Sequence, residues 1–358
     1  MAHDGPALPG LHPNVALSQL PPVGDDASVR RWAAAVAPPE LGYRYRFATS
    51  ELPAIKRCVE EHGFAIVSAV IDMPMVEALR EDCRAALDPN GDAPAGQTRT
   101  MHGFIEHSPA TEALLQHETL LSIHRHVLGA DEASGMTLHR TSGYLKKPGS
   151  GPLTWHLDYN GWEPLPPQHA GEILNRGDEP NGFYFYLNGS HPARGGLAVI
   201  AGSHHPEWQG PDGFEMSAAK GEPGSFSKYR GSFRPRGGSG NAYDRFDVPG
   251  CVPIWSEPND LIIFACHTYH AAFPTPADWT DVRHSVGLRF RRSPTLPLGP
   301  APWPLSAEAK ALIARAPPSV VPLLAGYTGI DFRWNAWSQG GVDDSSVDSE
   351  PVAGAAKL

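Results

Sequence analysis

Trp155-His156-Leu157-Asp158-Tyr159 sets an imidazole and a carboxylate two residues apart in a segment that reads as a strand. Side chains at i and i+2 of a strand share a face, so His156 and Asp158 can converge on one cation. With a second histidine from elsewhere in the chain, such a pair makes a triad of two histidines and one carboxylate. That donor set leaves adjacent positions open on a non-haem Fe(II), as oxygen activation requires. Downstream, Asp260-Leu261-Ile262-Ile263-Phe264 reads as a turn entering a buried strand, and His267 and His270 follow, three residues apart. On a strand that odd spacing turns the two histidines to opposite faces, so only one of them reaches a shared metal. Further on, Arg283 to Phe290 alternates with period two. Arg283 and Ser285 share a face on which a guanidinium can grip a carboxylate bidentately and a hydroxyl can add a hydrogen bond. His284, Val286, Leu288 and Phe290 take the opposite face, which reads as a packing face.

The elements needed to hold these groups are mostly strands. Runs at 137–145, 153–158, 183–187, 197–200, 252–255, 261–265 and 284–291 are separated by turn residues throughout. Helices come before them. Ile55, Cys58 and Val59 space helically before His62-Gly63, and the β-branched run Phe64–Val67 follows. Asp72 is placed to cap a helix with Pro74 in its first turn and Val76, Leu79, Cys83, Ala86 and Leu87 on one stripe. Another helix spans about Glu118 to Leu128 and closes at Gly129. Ser306 to about Ala314 is a short amphipathic helix. The fold class is therefore mainly β with flanking helices, a β-barrel or sandwich core with helices outside it.

Composition bounds the partners. Gly and Pro number 37 each in 358 residues, which favours many turns over a helical bundle. A formal net charge of −10 argues against nucleic acid, whose phosphates demand a basic surface. No apolar run approaches a membrane span, so the partner is a small molecule and no membrane is involved; the oligomeric state is left open. Four cysteines without a paired motif read as reduced thiols and place the protein in the cytoplasm. The terminal Ala356-Lys357-Leu358 is a variant of Ser-Lys-Leu and would address a eukaryotic chain to the peroxisome. Residues 1–28 read as a flexible tail, 29–337 as one domain and 338–358 as a second flexible tail. Two stretches, about 160–182 and 205–250, are long enough to act as lids. The second carries Lys228, Arg230, Arg234 and Arg236 among aromatics, and reads either as a solvated loop or as a grip, with Arg230, for an anionic substrate group.

The order His-x-Asp, Gly202-Ser203-His204, Asp260-Leu261-Ile262-Ile263-Phe264, His270, Arg283-x-Ser285 resembles the phytanoyl-CoA dioxygenase-like family of Fe(II)/2-oxoglutarate-dependent oxygenases, from about Glu60 to Arg292. Glu61–Val67 with Asp72 and the helix over Leu79 is similar to that family's opening strand and helix. Ala201-Gly202-Ser203-His204 is similar to its Pro-Gly-Ser-His strand end, with alanine in place of proline. The resemblance implies a double-stranded β-helix (jelly-roll, cupin-like) core with Fe(II), 2-oxoglutarate and O2 as cofactors. It assigns His156, Asp158 and His270 as iron ligands, and Arg283 with Ser285 as the hold on the far carboxylate of 2-oxoglutarate. Tyr144 becomes a candidate hydrogen-bond partner of the cosubstrate, and His204 and His205 cap a turn near the site. Trp162 resembles a pocket tryptophan of the ectoine hydroxylases, with a core tryptophan as the equal alternative. The implied reaction is hydroxylation, or another oxidation such as desaturation, epoxidation or ring closure, of an unactivated C–H of a small or medium-sized metabolite, releasing succinate and carbon dioxide. A carboxylate at Asp158, where related halogenases carry a small residue, implies oxygenation over chlorination. Two other outcomes stay open: a peroxisomal acyl-CoA hydroxylase of the phytanoyl-CoA type, and a cupin-like metal enzyme that does not use 2-oxoglutarate.

Overall fold

A computed structural model describes residues 41–130, 135–156, 180–205, 208, 210–217, 232–237, 248–265, 268–292, 306–325 and 327. In chain order the elements are β1 (Arg46–Phe47), α1 (Leu52–His62), β2 (Phe64–Val67), α2 (Met73–Leu87), β3 (Thr98–His102), α3 (Pro109–Leu114), α4 (Glu118–Leu128) and β4 (Met136–Lys146). There follow β5 (Leu153–His156), β6 (Pro180–Tyr186), β7 (Leu197–Ile200), β8 (Phe214–Ser217), β9 (Ser232–Pro235) and β10 (Cys251–Pro253). The last are β11 (Leu261–Ala265), β12 (His270–Ala272), β13 (Arg283–Arg292), α5 (Ala307–Arg315) and α6 (Val321–Leu324).

The helix signals act where the residues place them. The Asp72 carboxylate accepts the Met75 amide at 2.9 Å and opens α2. The Ser306 hydroxyl accepts the Ala309 amide at 2.9 Å and opens α5. Helix α1 stops at Gly63, where φ is +82°. There a Cβ would also meet Thr268 Oγ1 at 2.6 Å and His204 Nδ1 at 2.7 Å, so the backbone needs glycine twice over.

A seven-stranded sheet has the order β1-β2-β11-β6-β13-β4-β3, and a four-stranded sheet the order β10-β7-β12-β5. Consecutive strands pass from one sheet to the other (β4 to β5, β5 to β6, β6 to β7, and again from β10 through β13), which is the winding of a double-stranded β-helix. The core is two facing sheets with open edges, so the sandwich form of the expectation is the one adopted and the closed barrel is not.

Three apolar clusters follow from the alternation. Phe64, Ile66, Tyr184, Ile262 and Phe264 of the larger sheet meet Leu197, Val199, Val252 and Ile254 between the sheets. Val286, Leu288 and Phe290 face the opposite way and pack, with Phe183 and Phe185, under the helices. Trp155, Ala271 and Phe273 cover the outer side of the smaller sheet. The motif carboxylate Asp260 is part of this frame. It accepts from Arg46 at 2.5 Å and from the Ala69 and Glu257 amides at 3.0 and 2.9 Å, which ties β1 and β2 to the start of β11.

The strands differ from expectation mainly at their edges. The strand expected at 183–187 starts at Pro180 and ends at Tyr186, that at 252–255 is Cys251–Pro253, and that at 153–158 is described as far as His156. Strands β1, β3 and β12 were not expected. Two of them are two and three residues long, and β3 (Thr-Arg-Thr-Met-His) is half-buried throughout with no apolar alternation to read. The antiparallel pair β8–β9 lies within the stretch 205–250 that reads as loop. Among the described residues no helix is long and apolar enough to cross a membrane.

His124 on α4 is sealed against Phe183, with ring centroids 3.8 Å apart, and hydrogen-bonds the Leu120 carbonyl at 2.8 Å. Burial holds its pKa down, from 6.5 to about 3. The unfolded chain therefore takes up a proton below pH 6.5 that the native state refuses, and stability falls with pH between 6.5 and about 3. At pH 5 this one group removes about 2 kcal/mol relative to pH 7. Urea titrations at both pH values are expected to show a His124→Leu variant losing less stability on acidification than the parent by about that amount.

Candidate active site

His156 ends β5 and His270 begins β12, and the two are direct partners across the antiparallel pair. Direct partners project to the same side of a sheet. Because Trp155 and Ala271 point outward, His156 and His270 point inward, with ring centroids 4.2 Å apart. His270 is buried, and its Nδ1 lies 3.0 Å from the Thr268 carbonyl. Donation from Nδ1 to that carbonyl leaves Nε2 as the lone-pair nitrogen, the arrangement a metal-binding histidine uses.

Around this pair the packing is tight. The Phe264 ring lies 4.5 Å from that of His270 and stacks on Tyr184 at 5.4 Å. Gly182 makes room for it, since a Cβ there would come within 2.3 Å of Phe264 Cζ. The Gly-Ser-His segment acts from below. Ser203 Oγ donates to the Ile200 carbonyl at 2.6 Å and accepts the Tyr269 amide at 2.9 Å, which fixes the backbone entering β12. His204 and His205 hydrogen-bond the Glu60 and Glu61 carbonyls at 2.9 and 3.0 Å, so they cap the end of α1, where the sequence suggested a turn near the site.

Strand β12 leads away from His270, and the chain re-enters the larger sheet at Arg283. Arg283 is buried and pairs directly with Lys146 at the end of β4. Ser285, one step further along the same face, pairs with Tyr144 on one side and Tyr186 on the other. The Arg283 guanidinium donates to the Gly195 carbonyl, hydrogen-bonds Tyr186 and lies 5.1 Å from that ring's centroid. Its Nε is buried with no hydrogen-bond partner among the described residues. Desolvation lowers its pKa, with Tyr186 and Tyr144 acting in the opposite sense. A buried guanidinium with an unused N–H, beside a hydroxyl and two phenols, has the chemistry to receive a carboxylate.

The structure thus brings His156 and His270 together, and separately Arg283, Ser285 and Tyr144. Asp158, Trp162, Arg230 and His267 lie outside the described residues, and among the described residues no three potential metal-binding side chains gather. His284 faces the helices; burial, the largest cause, and four cationic neighbours lower its pKa to about 4, in keeping with a packing role. Tyr186 and Lys146 were not singled out from the sequence. Tyr186 lies in the expected strand 183–187 and reads there as an ordinary strand residue, whereas Lys146 falls one residue beyond the expected strand 137–145.

No curated protein matches the chain. Solved structures similar to it include the non-haem α-ketoglutarate-dependent carbocyclase SnoK from nogalamycin biosynthesis, at 20% identity over 66% of this chain and 82% of that one, with a TM-score of 0.47. The epimerase SnoN of the same biosynthesis, also solved with Fe3+, α-ketoglutarate and nogalamycin RO, is 18% identical over 71% of this chain and 95% of its own, with a TM-score of 0.46. The model of the phytanoyl-CoA dioxygenase family matches residues 59–278, more than half of the 358. The stretch runs from the end of α1 through His156, the Gly-Ser-His turn and His270 to the approach to β13, and the chain belongs to the phytanoyl-CoA dioxygenase family, enzymes that use Fe(II), 2-oxoglutarate and O2.

Proposed function

We propose that the chain hydroxylates an unactivated C–H of a small or medium-sized organic metabolite, with release of succinate and carbon dioxide. The observation that carries the reading is the cross-strand pair His156–His270, set inward at one end of β12 while Arg283 waits at the other. From His270 to Phe273 the strand rises roughly 10 Å, a span suited to a five-carbon dicarboxylate reaching from a metal to a guanidinium.

The donor set fits the group. His156, His270 and Asp158 would hold Fe(II), and the carboxylate of Asp158 would complete the triad from the position two residues beyond His156. Bound there with 2-oxoglutarate, the iron supplies the oxidising power that breaks the C–H bond. The chain's own residues do the rest. The Thr268 carbonyl holds the His270 ring in its tautomer and orientation. Phe264 and Tyr184 wall the pair on the apolar side and keep water from it. Arg283, with Ser285 and Tyr144 beside it, binds the far carboxylate and so orients the keto acid toward the metal. Trp162 and Arg230 belong to the stretches proposed to shape the substrate pocket.

Two outcomes test this assignment. Asp158→Ala and His270→Ala proteins are each expected to lose stoichiometric Fe(II) binding and all succinate release in a metabolite screen run with Fe(II), ascorbate and 2-oxoglutarate. Unchanged turnover in either variant would put the iron elsewhere. Arg283→Ala removes a charge-assisted contact worth about 1.5–3 kcal/mol, so calorimetry is expected to show 2-oxoglutarate binding weakened roughly ten- to hundredfold. An unaltered Kd would remove Arg283 from the cosubstrate site.

A further inference from the structure

Lys146 is buried to within 2% of complete exclusion from solvent, on the strand facing the cosubstrate anchor. It is the direct cross-strand partner of Arg283, so the two side chains leave the sheet side by side. Both reach for backbone carbonyls on the far side of the interior. Lys146 Nζ donates to the Phe273 carbonyl at 3.1 Å, and Arg283 donates to the Gly195 carbonyl. Those two segments are joined to each other, Phe273 N donating to the Gly196 carbonyl at 2.8 Å. Two cationic side chains therefore stand against one wall, and among the described residues no carboxylate pairs with either. The Asp88 carboxylate pairs with the neighbouring Lys147 at 2.7 Å.

Burying one unpaired cation costs several kcal/mol, and burying two side by side costs more. An arginine keeps its proton under such pressure, whereas a lysine yields it. We propose that Lys146 is the second cation of the pocket that receives the far carboxylate of 2-oxoglutarate, and that it acquires its proton as that carboxylate enters. The inference rests on the function proposed above and adds to it a residue and a proton.

The surroundings agree with this division of labour. Desolvation, with Arg283 adding to it, drives the Lys146 pKa well below its usual value, in the direction of the neutral amine. The groups around the two cations are Tyr144 on the same strand, Tyr186 on β6, Ser285 on β13, Thr98 on β3 and, on the opposite face of β13, His284, which burial and its cationic neighbours hold toward the neutral form. None of these is a carboxylate. An incoming carboxylate is then the group that raises the pKa and draws a proton from solvent. The buried Arg283 Nε, with no hydrogen-bond partner among the described residues, is placed for the acceptor such a carboxylate supplies.

Isothermal titration of the Fe(II)-loaded full chain with 2-oxoglutarate, under nitrogen and in two buffers of different ionisation enthalpy, reads affinity and proton uptake together. The parent protein is expected to take up about one proton per 2-oxoglutarate at pH 8, and to bind more weakly as the pH rises further. Lys146→Met is expected to bind roughly ten- to hundredfold more weakly with that uptake gone. Lys146→Arg, whose charge is permanent, is expected to retain binding without the uptake, and it carries the test if the methionine variant fails to fold. Proton uptake unchanged in Lys146→Arg, or an unchanged Kd in Lys146→Met, overturns the inference and leaves the proposed function standing. A parent protein that does not bind 2-oxoglutarate at all overturns both.

Discussion

The short antiparallel pairing of β5 with β12 is the constraint on which the site depends. It sets His156 opposite His270 and leaves no freedom in which face each presents. A one-residue slip of β5 against β12, which β7 also holds, would turn His156 outward toward the cluster that Trp155 joins and bring Trp155 inward. Much of the neighbouring structure makes that slip costly. Ser203 pins the backbone at Tyr269, Gly63 admits Thr268 and His204 where a side chain would clash, and Asp260 anchors the strand that leads into this segment. The residues of the Gly-Ser-His and Asp-Leu-Ile-Ile-Phe motifs are thus explained by what they hold in register.

The same winding sorts the remaining polar groups by depth. At one end of β12 the interior offers imidazole nitrogens beside aromatic walls, a setting for a metal. At the other it offers a guanidinium and an amine against backbone carbonyls, a setting for an anion. A molecule with a chelating end and a carboxylate end satisfies both, and 2-oxoglutarate is the cosubstrate of the family to which the chain belongs. The polar interior is costly to keep empty, and the helices α1, α2 and α4 offset that cost by burying apolar side chains on the outer face of the larger sheet.

What the sequence made readable follows the strength of periodic signals. Helices α1, α2, α4 and α5 carry stripes and caps, and they lie where those signals place them. The long strands β4 and β13 were visible from alternation, and with them the shared face of Arg283 and Ser285. The three-residue β12 was invisible because no period can be read over so few residues, even though it carries His270, the proposed second histidine of the triad. Lys146 was missed for another reason. A lysine ending a strand is usually a solvated rim residue, and only the pairing of β4 with β13 reveals that this one is enclosed. Expectations at Asp158, Trp162 and Arg230 fall outside the described residues, so the carboxylate of the triad is a proposal that rests on its spacing from His156.

The central claim is that one interior holds Fe(II) through His156, Asp158 and His270 and presents 2-oxoglutarate to it from Arg283. An anaerobic absorption titration tests both halves at once, because a 2-oxoglutarate chelated to Fe(II) through its carboxylate and keto oxygens gives a visible charge-transfer band that neither component gives alone. The account predicts that the band grows to saturation at one 2-oxoglutarate per chain on the iron-loaded protein. A protein that binds Fe(II) and 2-oxoglutarate yet develops no such band would contradict it.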